Sequence, residues 1–241
     1  MRIYQRYDWG RLARFHVLDD RQYRAYHACA KPGRGGSNSV TTRHCPDLRK
    51  PGRSMLGEEQ QRWLQTGLDA SPARWNILAQ QTLMAQSSQV PILRPGDERV
   101  WTDGWDGYPM ARQHLLDALR SSGARNPLVL SGDVHTFYAS ELSRNAMRPT
   151  GKDNPVLATE FCGTSITSSS RPQARTEQYV AMNPHIRYGR SDKRGYMLME
   201  ITPEKTTTLF QGLENVRDSA SGIATLARFT VRDGKAGLQP T

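Results

Sequence analysis

The chain has 241 residues, 37% of them hydrophobic, with 33 lysines and arginines against 23 acidic residues for a net charge of +10. That length supports one substantial core or two small ones, and the spread of aromatic residues excludes a disordered tail; no apolar run approaches the length of a membrane span. The charge points to anionic partners such as nucleic acid, a membrane surface or phosphate-bearing substrates, but no block of five or six like charges occurs, which favours a general positive field over a nucleic-acid arm.

Residues 1–10 are polar and aromatic without a period, and Met1 is followed almost directly by Tyr4, Tyr7 and Trp9. With no export signal before them, the sequence as written reads as cytoplasmic. Leu12 to Asp19 reads as a strand that shares Phe15 and Val17 on one face and exits into Asp19-Asp20-Arg21. Three cysteines, Cys29, Cys45 and Cys162, cannot all pair, and none has Cys-x-x-Cys spacing; a single Cys29–Cys45 bridge is open to an exported protein. His27 near Cys29 and His44 next to Cys45 invite a zinc reading, which the adjacency of His44 and Cys45 opposes. Residues 31–54 form a long loop rich in turn formers, in which Gly33-Arg34-Gly35-Gly36 misses the dinucleotide pattern.

Gly57 to Leu68 predicts a helix, with Ser54 near its start, acids in its first turn, and Gln60, Trp63, Leu64 and Leu68 at helical spacing. Trp75 to Gln81 is an inner strand; Gln80 and Gln81 at its exit are either donors to a site or surface amides. Residues 87–107 lack a period and end in Trp101-Thr102-Asp103-Gly104-Trp105-Asp106-Gly107, an aromatic-lined loop of the kind that borders sites. A helix from Pro109 to Ser122 follows, turning Met110, His114, Leu115 and Leu119 toward a sheet and ending at Gly123.

Leu128 to Leu130 is then a short apolar run without alternation, as in a strand covered on both faces. It stops at Ser131-Gly132 and presents Asp133 and His135 two positions apart, where ligands of α/β sheets gather. Strand, helix, strand implies right-handed crossovers in a largely parallel sheet. Downstream, Phe137–Leu142 and Pro155–Phe161 read as strands, and Gly163 to Ser170 as either an anion cradle or a plain hydroxyl-rich loop. Gln173 to Met182 is a short helix, and Asn183 to Arg187 a turn carrying His185. Gly195–Ile201, Thr206–Gln211 and Thr225–Val231 are antiparallel strands, the last closed by Asp233-Gly234.

An Asp-x-His on a strand-exit loop places a carboxylate and an imidazole where one cation can take both, while the bland reading is a turn aspartate beside a satisfied histidine. Two ligands complete no metal site. The chain has no Gly-x-Ser-x-Gly, no phosphate-binding Walker loop and no His-Glu-x-x-His. What remains fits metal-assisted hydrolysis of phosphate esters better than acyl transfer.

Ser131-Gly132-Asp133-Val134-His135, the upstream Asp103 to Pro109 and the downstream Phe161 to Ser168 resemble the PhoD-like alkaline phosphatase D family of metallophosphatases. Leu18-Asp19-Asp20-Arg21-Gln22-Tyr23-Arg24, Trp75 to Gln81, Asn183-Pro184-His185-Ile186 and Lys193-Arg194-Gly195-Tyr196 extend the likeness over nearly the whole chain. The resemblance implies a mixed α/β (α+β) fold, a four-layer metallophosphatase β-sandwich flanked by helices. It implies secreted phosphomonoesterase or phosphodiesterase activity with calcium and iron, and metal-ligand roles for Asp133 and His135. By position it also marks His185 as catalytic and Trp105, Asp106 and Asn183 as substrate-binding. Family members are about twice this long, and their first-half motifs do not occur here, so residues 1–241 correspond to the C-terminal portion of one incomplete domain. The implied partners are a phosphate-ester substrate and either the N-terminal half or a second copy, not nucleic acid. A poorly active partial enzyme is therefore expected, and an inactive fragment or a basic polyanion-binding or structural module is the competing reading.

Overall fold

Leu128 and Val129 are fully buried on opposite faces of one strand, so each face must meet a different layer. The computed structural model, which describes residues 1–33 and 36–239, shows both layers. Arg34 and Gly35 of the expected long loop lie outside the described residues. In chain order the elements are β1 (Gln5–Trp9), β2 (Ala13–Val17), β3 (Ser39–Thr41), α1 (Gly57–Asp69), β4 (Trp75–Thr82), β5 (Arg99–Trp101), α2 (Pro109–Ser121) and β6 (Pro127–Gly132). They continue as β7 (Phe137–Ser143), β8 (Val156–Cys162), α3 (Gln173–Met182), β9 (Ile186–Arg190), β10 (Gly195–Ile201), β11 (Lys205–Leu213), β12 (Ile223–Arg232) and β13 (Lys235–Gln239).

A seven-stranded sheet runs in the order β1-β2-β4-β6-β8-β7-β9. Its centre is parallel through β2, β4, β6 and β8, as the strand-helix-strand pattern predicts. Its flanks are antiparallel, which a largely parallel sheet did not anticipate. On one face, Leu78, Val129, Tyr138 and Cys162 pack against Leu64 and Leu68 of α1 and Leu115, Leu116 and Leu119 of α2. On the other, Trp75, Ile77, Leu128, Phe137 and Phe161 meet Phe210 and Val231 of a four-stranded antiparallel sheet, β10-β11-β12-β13. Phe137 and Phe210 stack with ring centroids 4.7 Å apart, and Phe229 lies 5.2 Å from Phe210. Burying each such ring contributes roughly 2 to 3 kcal/mol, which joins the sheets into a sandwich.

The mixed α/β sandwich is the expected class. Among the described residues it shows three layers: helices, large sheet, small sheet. The outer face of the small sheet leaves Tyr196, Leu198 and Ile223 exposed.

Local details depart from expectation for physical reasons. Tyr7 and Trp9 are 56% and 74% exposed because β1 is an edge strand, so it carries no burial alternation to read. The Asn183 to Arg187 turn leads straight into the second edge strand, β9. Asp233-Gly234 is a hairpin turn, with Gly234 at φ 71°, and the chain returns as β13. On α2 the buried face is Arg112, Leu115, Leu116 and Leu119, and His114 points to solvent. Ser54 serves α1 as expected, its hydroxyl accepting the Gly57 N–H at 2.7 Å.

Cys29 and Cys45 form the disulfide, so the zinc alternative at these residues is withdrawn: their sulfurs are spent on each other, and His27 bonds to Asp103 at 3.1 Å. The bridge pins the segment carrying β3, which pairs with β5 just before Thr102. No helix is long and apolar enough to cross a membrane among the described residues.

Candidate active site

β6 ends in a tight turn in which the Val134 N–H bonds the Gly132 carbonyl at 2.8 Å. Asp133 (φ 67°) and His135 (φ 55°) both occupy the left-handed region. Holding such residues there costs on the order of 1 to 3 kcal/mol each, a strain that persists where the surroundings fix a functional group. The turn sends Asp133 into a cavity of about 430 Å³, with its carboxylate Oδ2 3.0 Å from Arg21 Nη2.

The same guanidinium reaches Asp103 Oδ2 at 2.6 Å, and Arg24 and His27 approach Asp103 Oδ1 at 3.2 and 3.1 Å. Burial works to raise the Asp103 pKa, but the hydrogen bond and charge of Arg21, the charge of Arg24 and the His27 contact outweigh it and hold the carboxyl below its usual value. Gly107 closes this loop where nothing larger fits, since a Cβ there would lie 2.1 Å from the Thr102 carbonyl oxygen.

Arg171 supplies the cavity wall with a cation. Its Nη1 donates to the Tyr138 hydroxyl at 3.0 Å and its guanidinium lies 5.0 Å from the Tyr179 ring centroid. Burial pushes the Tyr138 hydroxyl up to about 12, so it stays protonated. The loop bearing Arg171 is tied down by His135, whose Nδ1 lies 2.9 Å from the Ser169 carbonyl, and by Arg194, which donates to Ser165 Oγ at 3.0 Å and to the Ser168 carbonyl. The Ser165 hydroxyl donates in turn to the Ser168 carbonyl at 2.6 Å, so Ser165 is engaged within the loop.

Around and beneath the cavity, buried polar groups bond to the protein itself. Glu160 is fully buried, pushed up to about 7 by burial, and accepts hydrogen bonds from Ser131 Oγ, Met84 N and Ala85 N at 2.6 to 2.7 Å. That anchors a strap, residues 83–89, across the strand exits. Asp106 accepts the Ser87 N–H at 2.9 Å and pairs with Arg112 at 2.6 Å. Trp105 is fully buried and donates from Nε1 to Gln80 at 3.1 Å. Asn183, 1% exposed, clasps Ser88 through both backbone atoms at 2.9 and 3.0 Å. His185 sits in a separate groove behind the strap, donating from Nε2 to the Gln86 carbonyl at 2.8 Å, and burial lowers its pKa.

Of the residues singled out in the sequence, Asp133, Trp105 and Asp106 border one cavity, with only Asp133 offering an exposed charge, while His135, Asn183 and His185 are not among its lining residues. Gln80 and Gln81 prove to be neither site donors nor surface amides. Gln80 bonds to Thr82 and Trp105, and Gln81 clasps Leu18 and Asp20.

A metal is implied by the resemblance, and the donor types suit one in part. A carbonyl accepts only, so His135 Nδ1 is the donor to Ser169 and Nε2 keeps the lone pair a metal needs, the usual outer-shell arrangement. Yet no group of three or more His, Cys, Asp or Glu converges among the described residues, and a guanidinium holds the place beside Asp133. These residues alone do not make a metal site.

The sequence pattern of the PhoD-like phosphatases matches residues 1–210. The chain belongs to the PhoD-like phosphatase family. It is 34% identical over 246 residues to alkaline phosphatase D of Bacillus subtilis (strain 168), an alignment that takes in 99% of this chain and 39% of that protein. A solved structure of PhoD superposes with a TM-score of 0.86 at 33% identity, covering 99% of this chain and 44% of that one. This PhoD-like chain thus spans about two fifths of the length of the relatives it matches.

Reading motifs missed Arg21, Asp103 and Arg171. Arg21 follows the Asp19-Asp20 strand exit directly, and Asp103 opens the loop from which Asp106 was chosen, so both had a local signal. Arg171 had none: it reaches the cavity only through the fold of the Ser165–Ser170 loop.

Proposed function

We propose that this chain carries part of the active site of a metal-dependent phosphate-ester hydrolase, with the ester bound in the Asp133 cavity. The observation that carries this reading is Arg171, a guanidinium on the cavity wall whose neighbours among the described residues are a tyrosine hydroxyl and a tyrosine ring, leaving its charge unneutralised. Such a planar cation is suited to the oxygens of a phosphoryl group.

Asp133 and His135 would be this chain's share of the ligands to a metal centre, iron and calcium by the family resemblance. A metal held there would supply Lewis-acid stabilisation and water activation. Trp105, Asp106, Asn183 and His185 position the strap and the Trp101–Asp106 loop. Two ligands hold a metal weakly, so the rest of the set comes from outside residues 1–241, and this chain by itself turns over slowly. The Cys29–Cys45 bridge supports an exported setting, because such bonds persist in oxidising compartments.

Hydrolysis of p-nitrophenyl phosphate and bis(p-nitrophenyl) phosphate, with ferric and calcium ions supplied, tests the reading. The expected rate is about 1000-fold below that of alkaline phosphatase D of Bacillus subtilis under the same conditions, reflecting a catalytic unit with members missing. Equal rates would overturn the partial site, and no hydrolysis combined with no binding of either ester would overturn the function.

A further inference from the structure

Trp101, Trp105, Tyr138 and Tyr179 are the aromatic side chains lining the Asp133 cavity, and all but one are engaged by the protein itself. Trp105 is fully buried with its indole N–H on Gln80. Tyr138 is buried and accepts the Arg171 hydrogen bond on its hydroxyl. The Tyr179 ring has two guanidiniums against it, Arg171 and Arg175, at 5.0 and 4.9 Å from its centroid. Trp101 is the exception: it is 49% exposed, and among the described residues its indole stacks on no ring or guanidinium and its N–H finds no acceptor.

The fold holds that indole outward. Side chains alternate along β5, so Val100, which turns into a small core with Ala28, Cys45 and Leu48, sends Trp101 to the opposite face. Thr102 is buried and bonded to Asn38, and Ser39 pairs with Trp101 across β3. A tryptophan fixed between two buried neighbours loses little further freedom when a flat group stacks on it, and its ring offers a large apolar face. A cavity of about 430 Å³ is of small-molecule size, far more than a phosphoryl group fills, so the organic half of an ester held by Arg171 shares the space that Trp101 borders.

We propose that the Asp133 cavity takes phosphate esters whose organic half carries an aromatic ring, stacked on Trp101, which makes Trp101 a specificity-determining residue. This rests on the reading of the cavity as an ester site and adds the substrate class. Stacking requires only a π-face, so the preference is for flat rings over aliphatic groups, not for one ring over another.

Adenosine monophosphate and the ribose monophosphate that lacks its base share sugar and phosphoryl group and differ only in the ring. In NMR titrations of the labelled 241-residue chain, the adenosine ester should bind about tenfold more tightly, at the low end of base stacking on aromatic side chains, and should move the Trp101 indole N–H resonance. Trp101→Ala should cut that advantage to about twofold or less while Trp101→Phe keeps most of it, and Arg171→Met should weaken both esters about tenfold with their ratio unchanged. Trp101 is exposed, so the variants should keep the dispersed amide spectrum of the folded chain, and the comparison of the two esters in the wild type stands without them. Equal affinity for the two esters, or an advantage that survives Trp101→Ala, would overturn the ring subsite. Ribose monophosphate bound through Arg171 with no gain from the base would sink this inference alone, whereas binding of neither ester would sink the ester site with it.

Discussion

Arg21 holds the Asp133 carboxylate at 3.0 Å, a cation of the protein's own placed where a metal ligand was expected to stand free. A metal taking Asp133 must displace that guanidinium or share the oxygen with it. Like charges a few ångströms apart oppose each other even near a surface. Arg21→Met should therefore strengthen calcium or manganese binding by the chain about tenfold, measured by calorimetry at low ionic strength. Unchanged or weaker binding would mean that Asp133 takes no part in holding a cation.

His16, near the end of β2, makes a pH prediction. His16 has no exposed surface, and burial, then the charges of Arg6 and Arg14, lower its pKa from 6.5 to about 4. The unfolded chain takes up a proton near pH 6.5 and the folded one does not. Stability from this group is thus full above pH 6.5 and is lost as pH falls toward 4, by about 3 kcal/mol in total. Urea unfolding at pH 7.5 and 4.5 should show the wild type faring worse than His16→Leu by about that amount over this interval, since the opposing gain from Glu160, whose raised pKa favours the folded state as pH falls, is common to both. An equal change in both would refute the assignment.

The Cys29–Cys45 bridge closes a loop of 16 residues that carries one wall of the site. Asn38 Nδ2 donates to the Cys29 carbonyl at 2.8 Å, and Asn38 and Thr102 share three hydrogen bonds at 3.0 to 3.1 Å, so the bridge reaches the Trp101–Asp106 loop through one residue. The Cys29→Ala/Cys45→Ala variant should lose about 3 kcal/mol, the closure entropy of a loop this long. Hydrogen exchange should quicken at Asn38 and Thr102 before it does at Leu128. Exchange unchanged at Thr102 would detach the bridge from the site.

How much of this was legible beforehand follows from what leaves a local trace. Leu128 to Leu130, α1 and α2 declare themselves through burial runs and helical spacing because their cores are made by near neighbours. β1 and β9 do not, since edge strands have no covered face to impose a period. Asp133 was readable as a strand-exit carboxylate. Its company was not: Arg21, Asp103 and Arg171 come from positions 21, 103 and 171, joined only by tertiary structure. Asn183 and Trp105 look like site residues in a motif because a scaffold under a site constrains residue type as tightly as the site does. Here both are buried, at 1% and 0% exposure, with Trp105 bordering the Asp133 cavity.

The central claim is that a phosphate ester sits between Asp133 and Arg171. Residue-resolved NMR of the labelled chain during titration with p-nitrophenyl phosphate tests it directly, whatever the turnover. The account predicts shifts at Asp133, Val134, Tyr138 and Arg171, and an affinity about tenfold weaker in Arg171→Met. Shifts confined to other surfaces, or an affinity indifferent to Arg171, would contradict it.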